Sequence, residues 1–181
     1  MKKTFIIALC CMVALMAACK KKPVEPTPSP DPEPVNYAEQ YVGSYLGSFS
    51  LTIVSMNNQP VTNMSFPIDN IGMDIAKGDV INAVTATVTV DNETRYTNGT
   101  ATEEKVGFET VHLIIDKPDQ GYRFDLDLTM EGTKAESDTL NLNGSFAGNG
   151  SASIMGQDYV FDEVSGTLAG RLVLRPRPEN K

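Results

Sequence analysis

Hydrophobic and polar positions alternate with a period of two through most of residues 36–175. Tyr41, Gly43, Tyr45, Gly47, Phe49, Leu51 and Ile53 share one face, while Ser44, Ser48, Ser50 and Thr52 take the other. Val84, Ala86, Val88 and Val90 alternate with Thr85, Thr87 and Thr89. The cleanest stretch sets Tyr122, Phe124, Leu126, Leu128 and Met130 against Arg123, Asp125, Asp127, Thr129 and Glu131. Leu140, Leu142 and Phe146 alternate with Thr139, Asn141, Asn143 and Ser145, and Val164, Leu168, Leu172 and Leu174 with Ser165, Thr167, Arg171 and Arg175. Successive side chains of a strand point to opposite faces. Each stretch therefore predicts a strand with one buried and one wet face, and hence antiparallel pairing.

Residues 106–115 are apolar on both faces toward their end, through Val111, Leu113, Ile114 and Ile115, which predicts a strand covered on both sides or one buried against a cap. Two less regular strands are expected over 68–75 and 152–161, making about eight in all. Turn chemistry separates them at Lys77-Gly78-Asp79, Asp91-Asn92, Pro118-Asp119-Gln120-Gly121, Glu131-Gly132, Gly148-Asn149-Gly150 and Gly156-Gln157-Asp158. Residues 57–70 are expected to form a longer loop over one end. No amphipathic helix longer than two turns is evident. The predicted fold class is all-β, an antiparallel up-and-down β-barrel of about eight strands, with a β-sandwich as the alternative. The steady run of hairpins favours the barrel. So do glycines inside the pattern (Gly43, Gly47, Gly144, Gly166, Gly170), because tight barrels need places where a side chain would clash.

The chain has 181 residues, of which 41% are hydrophobic, 7% aromatic and 21% charged, with a formal net charge of -8. That length suits one domain with appendages, and the apolar share is enough for a packed core. The acidic balance argues against a nucleic-acid partner, which would require a basic face. A single histidine and no tryptophan leave few routes to the common catalytic constellations. Neither enzymatic activity nor a cofactor is expected.

Residues 1–18 read as a lipoprotein signal peptide. Lys2 and Lys3 give a positive start, and the apolar run from Phe5 to Met16 is shorter than the ~20 residues a permanent membrane span needs. The run ends in Leu15-Met16-Ala17-Ala18-Cys19, which resembles a bacterial lipobox with Met16 where Leu is more usual. That resemblance implies cleavage before Cys19 and lipidation of its sulfur. The alternative is an ordinary secretory signal. The lipoprotein reading accounts better for the three cysteines: Cys10 and Cys11 leave with the signal, Cys19 is acylated, and the rest of the chain has none. With no disulfides, the domain must be stable through its core alone. Acyl chains such as palmitate anchor durably, at about 0.8 kcal/mol per buried CH₂.

Residues 19–36 form the lipidated cysteine and a tether. Lys20-Lys21-Lys22 leads into a stretch with proline at nearly every second position, which fixes φ and favours polyproline II. At about 3.1 Å per residue it would hold the domain roughly 40–50 Å from the lipid. The lysines suit anionic headgroups. Lipoproteins of Bacteroidetes type that reach the cell surface carry an acidic cluster after the cysteine. The basic slot here implies a lipid anchor in the outer membrane on the periplasmic side. The barrel domain is expected over residues 37–177, followed by a tail over 178–181.

Tyr41-Val42-Gly43-Ser44-Tyr45-Leu46-Gly47-Ser48-Phe49, opening a lipidated all-β domain, resembles the calycin-like and lipocalin-like lipoproteins of Bacteroidetes, whose barrels often begin with Gly-x-Tyr-x-Gly. The similar layout runs from Tyr41 to Leu174. Tyr45 stands where true lipocalins carry a Trp. The resemblance implies a barrel that binds a small apolar or amphipathic ligand.

Among candidate sites, His112 has no Cys or second His in the mature chain to build a metal centre, and as a strand histidine it is expected to be satisfied by a neighbour or water. Asp125 and Asp127 alternate with the apolar set, so they are expected on a solvated face rather than as a buried acid–base pair. Asp69, Asp74, Asp79 and the acidic segment 158–163 lack the spacing of a calcium loop. There is no strained Gly-x-Ser-x-Gly elbow and no phosphate-cradling Gly-Lys-Ser/Thr loop. Asp138-Thr139-Leu140 resembles the O-glycosylation sequon of Bacteroidetes. The aromatic residues Tyr41, Tyr45, Phe49, Tyr122, Phe124 and Phe146 fall on the inferred inward faces and are the expected ligand-binding set. The competing expectation is that they simply fill the barrel. In that case the domain is an interaction module for an envelope protein or glycan.

Overall fold

The inward faces of the predicted strands close on one another. The computed structural model describes residues 33–91, 93–136 and 138–176. Nine strands are present among them, preceded by a short 3-10 turn over Tyr37–Tyr41. They are β1 (Gly43–Met56), β2 (Gln59–Lys77), β3 (Ala83–Val90), β4 (Glu93–Ala101), β5 (Val106–Phe108), β6 (Val111–Lys117), β7 (Tyr122–Glu136), β8 (Thr139–Ile154) and β9 (Gln157–Leu174). The sheet order is β5-β4-β3-β2-β1-β9-β8-β7-β6, every ladder is antiparallel, and β5 also pairs with β7.

That last pairing closes the sheet. β5 and β6 lie one after the other along the same edge of β7, with Val106 opposite Gly132 and Val111 opposite Leu128. They act as one bent strand, so the ring has eight staves. The domain is an all-β, antiparallel, barrel-like ring rather than two stacked sheets.

The strand expected over residues 106–115 divides into β5 and β6 and leaves His112 exposed, so it is not covered on both sides, and the strand expected over 152–161 is broken by a turn at Met155-Gly156. Three further details differ from the sequence expectation. β4 was not predicted, because only Thr97 and Ala101 are buried on its inward face and Glu93 and Arg95 stand at the positions between strand start and Thr97. The loop expected over residues 57–70 is mostly strand. The chain reverses in two residues, Asn57 and Asn58, at φ 47° and 61°, a left-handed conformation that asparagine tolerates and two-residue hairpins need. Finally, Glu131-Gly132 and Gly148-Asn149-Gly150 run through strand interiors, and the β8–β9 hairpin turns at Met155-Gly156 instead.

One contiguous core fills the ring, from Tyr45, Leu51 and Ile53 through Val88, Leu113, Leu126 and Leu128 to Leu140 and Leu172. At one end the 3-10 turn tucks Ala38 and Tyr41 into that core. The Asn36 side chain accepts hydrogen bonds from Ala38 N (3.1 Å) and Asn82 N (3.1 Å), and Gln40 Nε2 donates to the Thr102 carbonyl at 2.8 Å. At the other end, Phe66 on β2 reaches across to β7 and meets Tyr122 and Phe124 edge-on, each with ring centroids 5.0 Å apart. Polar residues occupy many outward positions. Ser65, Thr52, Thr167, Ser145 and Thr129 form one row across β2, β1, β9, β8 and β7.

Candidate functional site

All six aromatics of the expected ligand-binding set are buried: Tyr41, Tyr45, Phe49, Tyr122, Phe124 and Phe146 belong to the single core. Strand register explains how three of them fit. Phe49 is paired with Gly170, Phe124 with Gly150, and Phe146 with Gly166. A Cβ built on Gly170 would lie 2.6 Å from Phe49 Cβ, and one on Gly166 would lie 2.6 Å from Phe146 Cζ. The Phe124 and Phe146 rings thus occupy the space above a residue with no side chain, aromatics packed on cross-strand glycines, whereas Gly170 makes room for the Phe49 Cβ and the Ser48 carbonyl. The remaining three are tyrosines at the two ends. Tyr45 Oη donates to the Tyr41 carbonyl at 3.0 Å. Tyr122 Oη donates to the Pro67 carbonyl at 3.4 Å and stacks at a tilt beside Phe124. Burial raises the pKa of all three tyrosines above the ordinary phenol value.

Tyr41 and Tyr45 thus lie together at one end of the barrel, and Tyr122 and Phe124 together at the other. Of the six aromatics, Tyr122 also borders a depression of about 470 Å³ between the β6–β7 turn and the β8–β9 hairpin. A larger depression, about 720 Å³, lies at the opposite end against Ser44, Asp74, Thr85, Thr87 and Arg175.

The charged groups lie outside. His112 on β6 sits opposite Asp127 on β7, with Nδ1 3.0 Å from Asp127 Oδ1 and Nε2 3.3 Å from Asp125 Oδ1. Both ring nitrogens thus face carboxylates, which leaves neither directed at a serine nucleophile. Arg123 Nη1 pairs with Asp116 Oδ2 at 2.8 Å. Lys117 pairs with Asp91, joining the end of β6 to the β3–β4 turn, and Lys105 pairs with Glu131 at 2.6 Å. No cluster of three or more His, Cys, Asp or Glu able to hold a metal occurs among the described residues. The signal segment, Cys19 and residues 20–32 of the tether lie outside the described residues.

One surface feature went unrecognised in the sequence. Met155 is fully exposed at the β8–β9 turn, and Val160 (71% exposed) and Tyr159 follow on β9. The signal was available in the consecutive apolar residues Tyr159-Val160-Phe161, which a strand cannot turn to one face together.

No protein-family model matches the chain, and no curated protein matches it. Among solved structures it is similar to a redesigned beta barrel, at 12% identity over 78% of this chain and 96% of that one, with a TM-score of 0.37. It is also similar to a multidomain protein including DUF1735 from Bacteroides ovatus, at 14% identity and a TM-score of 0.25. That match covers 77% of this chain and 53% of the other, so the chain spans about half its length. The fold assignment rests on the chain's own strand pairing.

Proposed function

We propose that this chain is a non-catalytic, lipid-anchored envelope protein whose barrel is a filled scaffold, with its binding function on the outer surface and hairpins. The observation that carries this reading is the occupied interior. Phe124 and Phe146 sit over Gly150 and Gly166, Phe49 pairs with Gly170, and all three belong to one buried cluster, so the barrel's apolar surface is already satisfied by its own side chains. The polar residues at many outward positions fit a domain held in water. In this reading Cys19 carries the acyl chains, residues 20–34 space the domain from the outer membrane on its periplasmic side, and the partner is an envelope protein or glycan.

A second reading follows the calycin-like resemblance: a carrier for a small apolar or amphipathic molecule. The observation favouring it is the depression at Tyr122, next to the Phe66–Phe124 contact. Native mass spectrometry of the full chain, purified gently from its host, separates the two. The scaffold reading expects the mass of the lipidated protein alone. A discrete additional mass, released on activation and lost in Tyr122→Ala, would overturn it in favour of the carrier.

A further inference from the structure

We propose that residues 157–161 of β9 accept an extended, basic segment of a partner protein as an added β-strand. This rests on the scaffold reading and names its binding site. The backbone is the first ground. β9 pairs with β1 only from Val164 onward, opposite Met56. The turn at Asn57 covers the next two residues, with Asn57 N donating to the Glu163 carbonyl at 2.7 Å and Asn57 Oδ1 accepting from Asp162 N and Glu163 N at 2.9 and 3.2 Å. Beyond that point β9 has only β8 as a ladder partner, with Phe161 opposite Gly150 and Gln157 opposite Ile154. Its other edge is open, and Gln157, Asp158, Tyr159 and Val160 are all exposed. Unpaired edges template further pairing unless they are guarded.

The two comparable edges are treated differently. β2 also runs past its ladder with β3, which ends at Gly72, but that overhang carries Pro60 and Pro67, which cannot donate to an incoming strand. The β9 edge holds no proline and no lysine.

Side-chain alternation then selects the occupant. Asp158, Val160 and Asp162 share one face of β9, while Tyr159 and the buried Phe161 share the other. An added strand would set basic side chains beside the two aspartates and apolar ones beside Tyr159, since directly opposite pairs interact most strongly. Asp158, Asp162 and Glu163 form no ion pair among the described residues, and Arg123, which borders the same depression as Asp158, is paired with Asp116. A second copy pairing edge to edge would bring these carboxylates against themselves, so charge favours a cationic partner.

The test uses the full chain in non-ionic detergent, a synthetic peptide of alternating lysine and valine, and its glutamate–valine counterpart. The lysine–valine peptide is expected to bind and to slow amide hydrogen exchange within residues 157–161. Asp158→Lys with Asp162→Lys should weaken it by about tenfold or more, with an unchanged melting temperature as the folding control. Absence of binding, equal binding of the glutamate peptide, protection elsewhere, or self-association through this edge would each overturn the proposal. A ligand inside the barrel would instead appear as added mass in the native spectrum, so failure of the scaffold reading is read separately.

Discussion

Phe146 and Gly166 face each other across β8 and β9, and the ring takes the volume that a side chain on the glycine would need. The same arrangement holds for Phe124 over Gly150, where an added Cβ would come within 2.9 Å of Phe124 Cε1. Large residues and glycines are thus matched across the ladder, so the barrel can be narrow and still carry aromatic side chains inside.

Gly166→Ala should accordingly destabilise the fold by about 2–3 kcal/mol, as overpacking of a filled core does. Removing the ring in the double variant with Phe146→Ala should not restore stability, because the new Cβ also meets the Thr52 carbonyl. Urea unfolding of the two single variants and the double variant gives the comparison. A double variant as stable as Phe146→Ala alone would mean that the ring alone requires the glycine.

Phe66 fastens the β1–β2 arm to β7 through two edge-on ring contacts. Phe66→Ala should cost about 2–3 kcal/mol, less than a fully buried phenylalanine, since Phe66 is only partly covered. The diagnostic is local. Amide exchange should accelerate in residues 59–68 more than in β8, and uniform acceleration would contradict the account.

The buried tyrosines make stability fall in alkali. Burial raises the pKa of Tyr41, Tyr45 and Tyr122, so the folded state keeps protons that the unfolded chain releases near pH ~10. Their stabilisation is fully present below that value and is lost as pH rises through the folded values. Denaturant midpoints should be flat from pH 7 to 9 and fall beyond about pH 10, less steeply in Tyr45→Phe. A midpoint that rose with pH in that window would contradict this.

The His112–Asp125–Asp127 group is solvent-exposed and is bound by cross-strand pairing alone. His112→Gln, Asp125→Asn and Asp127→Asn should each change stability by less than about 1 kcal/mol. Loss of a hydrolytic turnover in these variants, with folding retained, would contradict the non-catalytic reading.

Where the alternation was strong, as in Tyr122 to Met130, the sequence read directly as a strand with the correct face inward. It failed where polar residues line an inward face, as at Glu93 and Arg95, because β4 is held by its neighbours' ladders more than by its own apolar content. Glycine was legible as a sign of tight packing, but not which ring each glycine accommodates, since that depends on register between distant strands. Gly150 read as a turn for the same reason: its cross-strand partner Phe124 is 26 positions away in the chain. The aromatic set was found as inward-facing, whereas the placing of Tyr41 and Tyr45 at one end and Tyr122 and Phe124 at the other follows only from closure of the ring.

Equilibrium uptake of the apolar dye N-phenyl-1-naphthylamine tests most directly whether the interior is filled. The account predicts no saturable binding to the wild-type chain. Binding should appear in Phe146→Ala, where truncation leaves an apolar cavity above Gly166. Saturable wild-type binding at micromolar dye, abolished by Tyr45→Ala or Phe124→Ala in folded protein, would contradict it and show a ligand site inside the barrel.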